Sequence, residues 1–129
     1  MIPELVTAVA LAASPAAAGH DRHASTVARG QALAVARARA RWWRATRRQR
    51  TVAPYRAWLA KVRQCESGGN YGTATGNGFW GAYQFTLSSW HAVGGHGYPH
   101  RAGRLEQDYR AVRLLHLQGP GAWPVCSHR

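Results

Sequence analysis

Two glycines that directly follow an amphipathic stretch constrain the fold of this 129-residue chain more than any other feature. Pro54 suits the first turn of a helix, where its missing N–H costs nothing. Apolar side chains then recur with helical spacing: Trp58, Leu59, Val62 and Cys65. Gly68 and Gly69 permit the left-handed backbone that closes a helix. The pattern predicts one buried helix from Pro54 to this glycine pair.

Glu66 falls in the last turn of that predicted helix, where the unpaired carbonyls disfavour a carboxylate. Aromatic side chains follow at once: Tyr71, Phe79, Trp80, Tyr83 and Trp90. If several of them line a pocket around Glu66, desolvation raises its pKa towards the range in which it can protonate a leaving oxygen near neutral pH. Glu66 is therefore a candidate general acid. The alternative is an ordinary exposed glutamate at a helix end.

The two cysteines, Cys65 and Cys126, bracket the aromatic-rich part of the chain. A bond between them would close a loop of about 60 residues and stabilise the fold by roughly 4 kcal/mol in the chain-entropy treatment. It would also indicate an oxidising compartment. The alternative is a pair of reduced, buried thiols in a cytosolic protein.

The N-terminal residues have the pattern of a secretory signal peptide. An apolar run from Leu5 to Ala13 precedes Ala16-Ala17-Ala18 and Gly19, which fits a small-residue cleavage site and predicts a signal peptide over residues 1–18. Glu4 and the lack of an early Lys or Arg depart from the usual basic start, so a misplaced start codon and an Ala-rich helix are the alternatives. The run is too short to span a membrane. We expect a secreted or wall-associated protein.

Residues 19–53 are dominated by Ala and Arg, a composition with high helix propensity. They predict a basic, partly helical tether; the alternative is a wall or membrane contact anchored by Trp42 and Trp43. The whole chain has a formal net charge of +12. On an exported protein such charge favours anionic wall polymers, whereas on a cytosolic protein it would favour nucleic acid. We expect wall polymers and no nucleic acid.

The remaining sequence predicts two more helices around an irregular segment. Residues 73–81 are dense in turn formers and predict a loop or hairpin. Thr86 can cap a short helix that ends at Gly94. A last long helix, ended by Gly119, carries one apolar face: Leu105, Tyr109, Val112 and Leu115. The predicted fold class is α+β, predominantly α.

Three histidines, His91, His96 and His100, have loop spacings that fit no tetrahedral metal motif, and no paired cysteines accompany them. We therefore expect neither a metal nor another cofactor.

Several motifs follow one another in a fixed order: Cys65-Glu66-Ser67-Gly68-Gly69-Asn70, Thr75-Gly76-Asn77-Gly78, Gly81 through Gln84-Phe85, Trp90 before Gly94-Gly95, Arg104 to Gln107, and Gln118 through Cys126. In this order and spacing, the chain from about Tyr55 to Cys126 resembles the transglycosylase-like catalytic domain of the resuscitation-promoting factors. These are secreted proteins of high-GC Gram-positive bacteria that cleave the cell wall.

The resemblance implies a compact lysozyme-like domain over residues 54–129, with one disulfide between Cys65 and Cys126 and a single catalytic glutamate, Glu66. It implies cleavage of the glycan strands of peptidoglycan. The positions that match the family's glycan-binding groove are Asn77, Phe79, Gln84, Ser89, Trp90 and Gln118. The sequence departs from the family pattern at Tyr71, where Trp is usual, at Ala82, where Gly is common, and at Ser89, where Thr is frequent. Thr86 stands where some members carry Asp.

Few carboxylates remain for catalysis. The usual glycosidase scheme needs two carboxyls about 5 to 9.5 Å apart, but beyond the tether only Glu66, Glu106 and Asp108 are present. The last two begin a predicted helix, where negative charge is favoured by the helix dipole alone. We therefore predict a one-carboxylate mechanism. The resemblance implies that it acts at MurNAc-GlcNAc β-1,4 bonds, and we expect a monomer. The alternatives are a non-catalytic peptidoglycan-binding or signalling module and, for residues 29–50, a cytosolic nucleic-acid binder.

Overall fold

The computed structural model describes residues 15–129, with side chains described from residue 21 onward. Most of the predicted signal peptide, residues 1–14, lies outside the described residues. The chain divides into two compact units between Ala40 and Arg41.

Helix α1, Pro15–Val52, continues through the whole Ala- and Arg-rich segment. The sequence predicted only partial helix there, and the high propensity of Ala and Arg accounts for the unbroken one. Trp42 and Trp43 are exposed and contact each other edge to face, with ring centroids 4.7 Å apart. None of the described helices combines the length and the apolar character that a bilayer crossing requires.

The last turns of α1 pack within the second unit. Val52 is buried in its core. The guanidinium of Arg48 forms an ion pair with Glu106 and lies 5.3 Å from the ring centroid of Tyr109. A short 3-10 helix, Ala53–Tyr55, with Pro54 in its first turn, then leads into the next element.

Helix α2, Arg56–Ser67, confirms the first predicted helix. It buries Leu59 and Val62 and ends at Gly68, whose φ of 66° is left-handed. The backbone N–H groups of Gly68 and Gly69 donate to the carbonyls of Gln64 and Arg63, each at 3.0 Å. These bonds satisfy carbonyls that the end of the helix would otherwise leave unpaired.

Residues 70–86 form an irregular lobe. Two isolated antiparallel bridges, Ala74 with Trp80 and Trp80 with Phe85, are the extent of β-pairing in residues 15–129. Gly81 sits so close to Gln107 that a Cβ at this position would lie 2.5 Å from the Gln107 side-chain oxygen. This close approach, together with its φ of 79°, requires glycine.

Helix α3, Leu87–Ala92, begins as predicted: the Thr86 hydroxyl accepts the backbone N–H of Ser89 at 3.1 Å. Helix α4, Arg104–Gln118, ends at Gly119, also as predicted. Three further 3-10 helices complete the chain: Pro99–Arg101, Pro120–Ala122 and Cys126–His128.

The core of the second unit lies between α2, the irregular lobe, α3 and α4. Its largest fully buried side chains include Trp90, Tyr83, Phe85 and Leu59. The buried Gln107 amide donates to the carbonyls of Tyr71 and Ala102 and accepts the N–H of Ala82, so its polar atoms are satisfied.

A disulfide joins Cys65 on α2 to Cys126 at the end of the chain, with the two Cα atoms 5.6 Å apart. The predicted pairing is therefore confirmed. The predicted class, a predominantly helical domain with one disulfide, is confirmed as well.

Candidate active site

Glu66 is held in the last turn of α2 by the residues on either side of it. Cys65 is anchored by the disulfide to Cys126. The Ser67 hydroxyl donates to the Ala82 carbonyl at 2.8 Å, which ties the end of the helix to the irregular lobe. The backbone around Glu66 is thereby fixed to two other parts of the fold.

The Glu66 side chain lines a cavity of about 460 Å³. The other lining residues come from the irregular lobe and from the end of the chain: Asn77, Phe79, Gln84, Ala122, Trp123, Pro124, Val125 and Cys126. Glu66 is half-buried, and this burial raises the pKa of its carboxyl above the ordinary value. The direction is the one expected for a carboxylate taken partly out of water.

A second cavity, of about 230 Å³, adjoins the first. Four residues line both of them: Phe79, Gln84, Ala122 and Trp123. The second cavity is further lined by Thr86 and Ser89 at the start of α3 and by Gln118 at the end of α4. We call the two adjoining cavities together the groove.

Apolar surface is concentrated beside Glu66. Trp123 is buried at the junction of the two cavities, and its indole N–H donates to the Tyr83 carbonyl at 2.8 Å. Phe79 and Val125 remain exposed along the groove, at 44% and 62%. The groove therefore offers one fixed aromatic ring and two accessible apolar side chains.

Polar side chains in the groove are partly fixed by the backbone. The Asn77 side-chain oxygen accepts the N–H of Phe79 at 3.1 Å, and the Gln84 amide nitrogen donates to the Gly81 carbonyl at 2.9 Å. Gln84 is the one non-glycine residue with positive φ, at 51°, in the described part of the chain. Such backbone strain is common where a side chain must point into a binding site.

Five of the six residues predicted to bind substrate line the groove: Asn77, Phe79, Gln84, Ser89 and Gln118. Trp90 is the exception. It is only 1% exposed, its ring packs against Phe85 and Gly95, and its N–H donates to the His96 carbonyl. Trp90 belongs to the core behind the groove because α3 turns this face inward.

Trp123 was not among the residues that the sequence predicted to bind substrate. The structure makes it both a core residue and a lining residue of both cavities. The sequence signal that could have indicated this position is that Trp123 lies three residues before Cys126, whose predicted bond to Cys65 brings this part of the chain close to Glu66.

Glu66 is the sole carboxylate that lines the groove among residues 15–129. Glu106 pairs with Arg48 and Arg110. Asp108 accepts the hydroxyls of Tyr71 and Tyr83 at 2.7 and 2.5 Å, and burial together with these bonds raises the pKa of both tyrosines. Both of these carboxylates are therefore engaged elsewhere. Within the described range, no group of three potential metal ligands comes together.

The raised pKa of Glu66 leads to a test by pH-dependent stability. Ionisation of Glu66 costs folding free energy, so this cost is absent below the ordinary pKa of 4.5 and complete above the folded-state value. Glu66→Gln is therefore expected to melt above the unsubstituted protein at pH 7, by less than about 4 °C for a half-buried group, with the difference shrinking towards pH 4. Thermal unfolding followed by circular dichroism measures it.

Glu106→Gln is the matched control. It makes the same chemical change at a paired carboxylate, so it is expected to lower the melting temperature at pH 7. A Glu66→Gln variant that melts below the unsubstituted protein at pH 7 would contradict the burial argument.

A groove beside one half-buried carboxylate, in a small helical domain tied by a disulfide, agrees with the comparison to known families. The model of the family described as "Transglycosylase-like domain" matches residues 53–126, more than half of the chain. The chain therefore belongs to this family, and the relatives it matches are resuscitation-promoting factors, the proteins that the sequence motifs resemble.

Three of these relatives show the extent of the similarity. Resuscitation-promoting factor Rpf of Micrococcus luteus is 58% identical over 69 residues, which cover 54% of this chain and 31% of that protein. RpfC of Mycobacterium tuberculosis is 51% identical over 76 residues, covering 59% of this chain and 54% of that protein. RpfE of the same species is 48% identical over 68 residues, covering 53% and 40%. The chain thus spans between about a third and a half of these relatives, and the shared part is the domain that carries Glu66.

Proposed function

We propose that this protein cleaves the glycan strands of peptidoglycan at the β-1,4 bond between MurNAc and GlcNAc, with Glu66 acting first as an acid and then as a base. The observation that carries the proposal is the position of Glu66 as the one described carboxylate in a groove formed by two adjoining cavities. Membership of the transglycosylase-like family supports the same reaction class.

In the first step, the Glu66 carboxyl gives its proton to the glycosidic oxygen while the bond from that oxygen to the sugar C1 breaks. The developing positive charge at C1 is stabilised by the substrate's own N-acetyl carbonyl, because the groove supplies no second described carboxylate. Partial burial of Glu66 favours its protonated form, which a general acid requires.

In the second step, the muramic 6-hydroxyl attacks C1 and the Glu66 carboxylate takes up its proton. The product is a 1,6-anhydro end, and Glu66 returns to its starting protonation state. If water attacks C1 in place of the 6-hydroxyl, the same groups perform hydrolysis. Glu66 thus serves both outcomes without another catalytic residue.

Binding of the strand is assigned to the rest of the groove. The exposed apolar side chains of Phe79 and Val125 can pack against sugar C–H groups, and the amides of Asn77, Gln84 and Gln118 can donate to and accept from hydroxyl and acetamido groups. A pair of adjoining cavities suits a polymer better than a single small molecule, since its sugars can extend from one cavity into the next.

The proposed site of action is outside the cell, at the wall. The disulfide supports an oxidising compartment. Helix α1 is exposed over most of its described length and carries arginines throughout, which suits contact with anionic wall polymers. We expect the protein to act there as a monomer, without nucleic acid.

Mass spectrometry of the glycan fragments released from purified peptidoglycan tests this proposal. Digestion by the unsubstituted protein is expected to yield fragments with anhydro ends, lighter by one water than the reducing ends that hydrolysis produces. The Glu66→Gln protein provides the blank. If all fragments have reducing ends, the second step is hydrolysis and not attack by the 6-hydroxyl. If no fragment is released, the result favours a module that binds peptidoglycan without cutting it.

A further inference from the structure

A cleft of about 400 Å³ lies apart from the two cavities of the groove and shares none of their lining residues. Its walls come from the end of α1, from α2 and from the start of α4. It is lined by Gln49, Val52, Arg56, Leu59, Arg63, Arg104, Leu105 and Asp108. We call it the arginine cleft.

Three guanidinium groups and one carboxylate give the arginine cleft a net charge of +2. Arg56 and Arg63 are seven residues apart on α2, with Leu59 between them, so all three share one helix face. The guanidinium carbons of Arg63 and Arg104 lie 5.8 and 5.5 Å from the centroid of the same Tyr71 ring. The ring thus brings an arginine of α2 and an arginine of α4 together at one wall of the cleft.

These arginines are not neutralised within the described part of the chain, where both ion pairs are made by Glu106, with Arg48 and Arg110. Asp108, the one acidic side chain of the cleft, already accepts two hydrogen bonds from Tyr71 and Tyr83. Arg63 donates to the uncharged Tyr83 hydroxyl at 3.4 Å, and the negative charge of Asp108 also acts on it, although the two form no ion pair among the described residues. The charge of the cleft is therefore available to a ligand.

The floor of the arginine cleft is apolar. Val52 and Leu59 are buried, at 4% and 0% exposure, and Leu105 is half-buried beside them. An apolar floor lowers the local dielectric, so a charge-assisted hydrogen bond made above it is stronger than one on an open surface. The cleft therefore combines three guanidiniums, two of them exposed, with an apolar floor.

From this arrangement we propose that the arginine cleft binds a phosphoryl group. A guanidinium presents its N–H donors as a fork that matches a pair of phosphate oxygens, and three such groups can surround one phosphate or two consecutive phosphates of a polymer. A carboxylate has one negative charge and two oxygens, which fits three guanidiniums and a net charge of +2 less well. The phosphate has two possible sources, a free phosphate and the phosphodiester backbone of a wall polymer.

Nuclear magnetic resonance on the full chain tests the proposal at the level of single arginines. Inorganic phosphate is titrated while the side-chain Nε–Hε signals are followed. The signals of Arg56, Arg63 and Arg104 are expected to shift together and saturate, whereas those of Arg101 and Arg113, exposed and outside the cleft, are not. Equal shifts at all five arginines, or larger shifts with acetate than with phosphate, would overturn a phosphoryl site.

Calorimetry on two double variants gives an independent measurement of phosphate binding. Arg56→Gln with Arg104→Gln removes two exposed guanidiniums of the cleft and is expected to weaken phosphate binding by about tenfold or more, as loss of charge-assisted hydrogen bonds implies. Arg101→Gln with Arg113→Gln removes the same charge elsewhere and is expected to change the affinity by less than about twofold. Equal losses in the two variants would mean general charge attraction and would overturn the site.

A short glycerol-phosphate oligomer then distinguishes the two sources. If the oligomer shifts the same three signals and binds more tightly than inorganic phosphate, the ligand is a polymer phosphate. If only inorganic phosphate shifts them, the site stands as one for free phosphate and the polymer source is overturned. Neither result depends on whether Glu66 cleaves glycan, so failure of the proposed reaction leaves this test intact.

Discussion

Glu66→Gln is expected to lower the rate of peptidoglycan cleavage by about 10³-fold, within the range that a positioned general acid supplies. The amide retains the shape of the side chain but cannot give a proton to the glycosidic oxygen. Because Glu66 is the one carboxylate that lines the groove among the described residues, no neighbour is placed to replace it. Release of soluble fragments from purified wall measures the rate.

Binding should survive this substitution. The residues assigned to hold the strand, among them Phe79 and Gln84, are unchanged, so sedimentation of the variant with insoluble peptidoglycan is expected to match that of the unsubstituted protein. Glu106→Gln, the same change outside the groove, should keep most of the activity. Undiminished cleavage by Glu66→Gln would remove Glu66 from the mechanism, and an equal loss in both variants would point to damaged folding.

Replacing both Cys65 and Cys126 with Ser is expected to cost about 4 kcal/mol of unfolding free energy, since the bond closes a long loop. A domain of this size has a total stability of only about 5–10 kcal/mol. The melting temperature should therefore fall by about 15 °C or more. Circular dichroism and calorimetric melting curves measure the change.

Activity should be lost along with stability in this variant, because Cys65 precedes Glu66 and Cys126 itself lines the cavity beside it. The unsubstituted protein treated with a reductant is the matched control, since it loses the bond and keeps both side chains. It should melt close to the double-serine variant. A loss of less than about 1 kcal/mol in both would show that packing alone holds the end of the chain against α2.

The sequence was sufficient to predict α2, α3 and α4 because each carries apolar side chains on one face and a local start or stop signal. Gly68 ends α2, Thr86 begins α3 and Gly119 ends α4, and all three act through the backbone of their own neighbourhood. Glu66 could be singled out for the same reason, since its place in a last turn follows from the adjacent glycines.

Features that depend on distant contacts could not be predicted in the same way. Trp90 resembles the other aromatic residues in sequence, and only the packing of α3 against the core turns it away from the groove. Asp108 was predicted to begin a helix, but it lies in the second turn of α4, and its two bonds to tyrosine hydroxyls depend on how the irregular lobe meets that helix. The arginine cleft likewise arises where three helices meet, and its two arginines on α2 are far in sequence from the third, Arg104 on α4.

The groove is asymmetric about Glu66, which lines the larger cavity but not the smaller one beyond Gln84 and Trp123. If a strand that fills both cavities is cut at Glu66 as proposed, the half that lies in the smaller cavity retains its contacts with Ser89 and Gln118. Departure of the retained half would then be the slow event of each turnover. On this basis, short cleavage products should act as competitive inhibitors. A substitution that weakens the contact with Gln118 should increase the turnover rate.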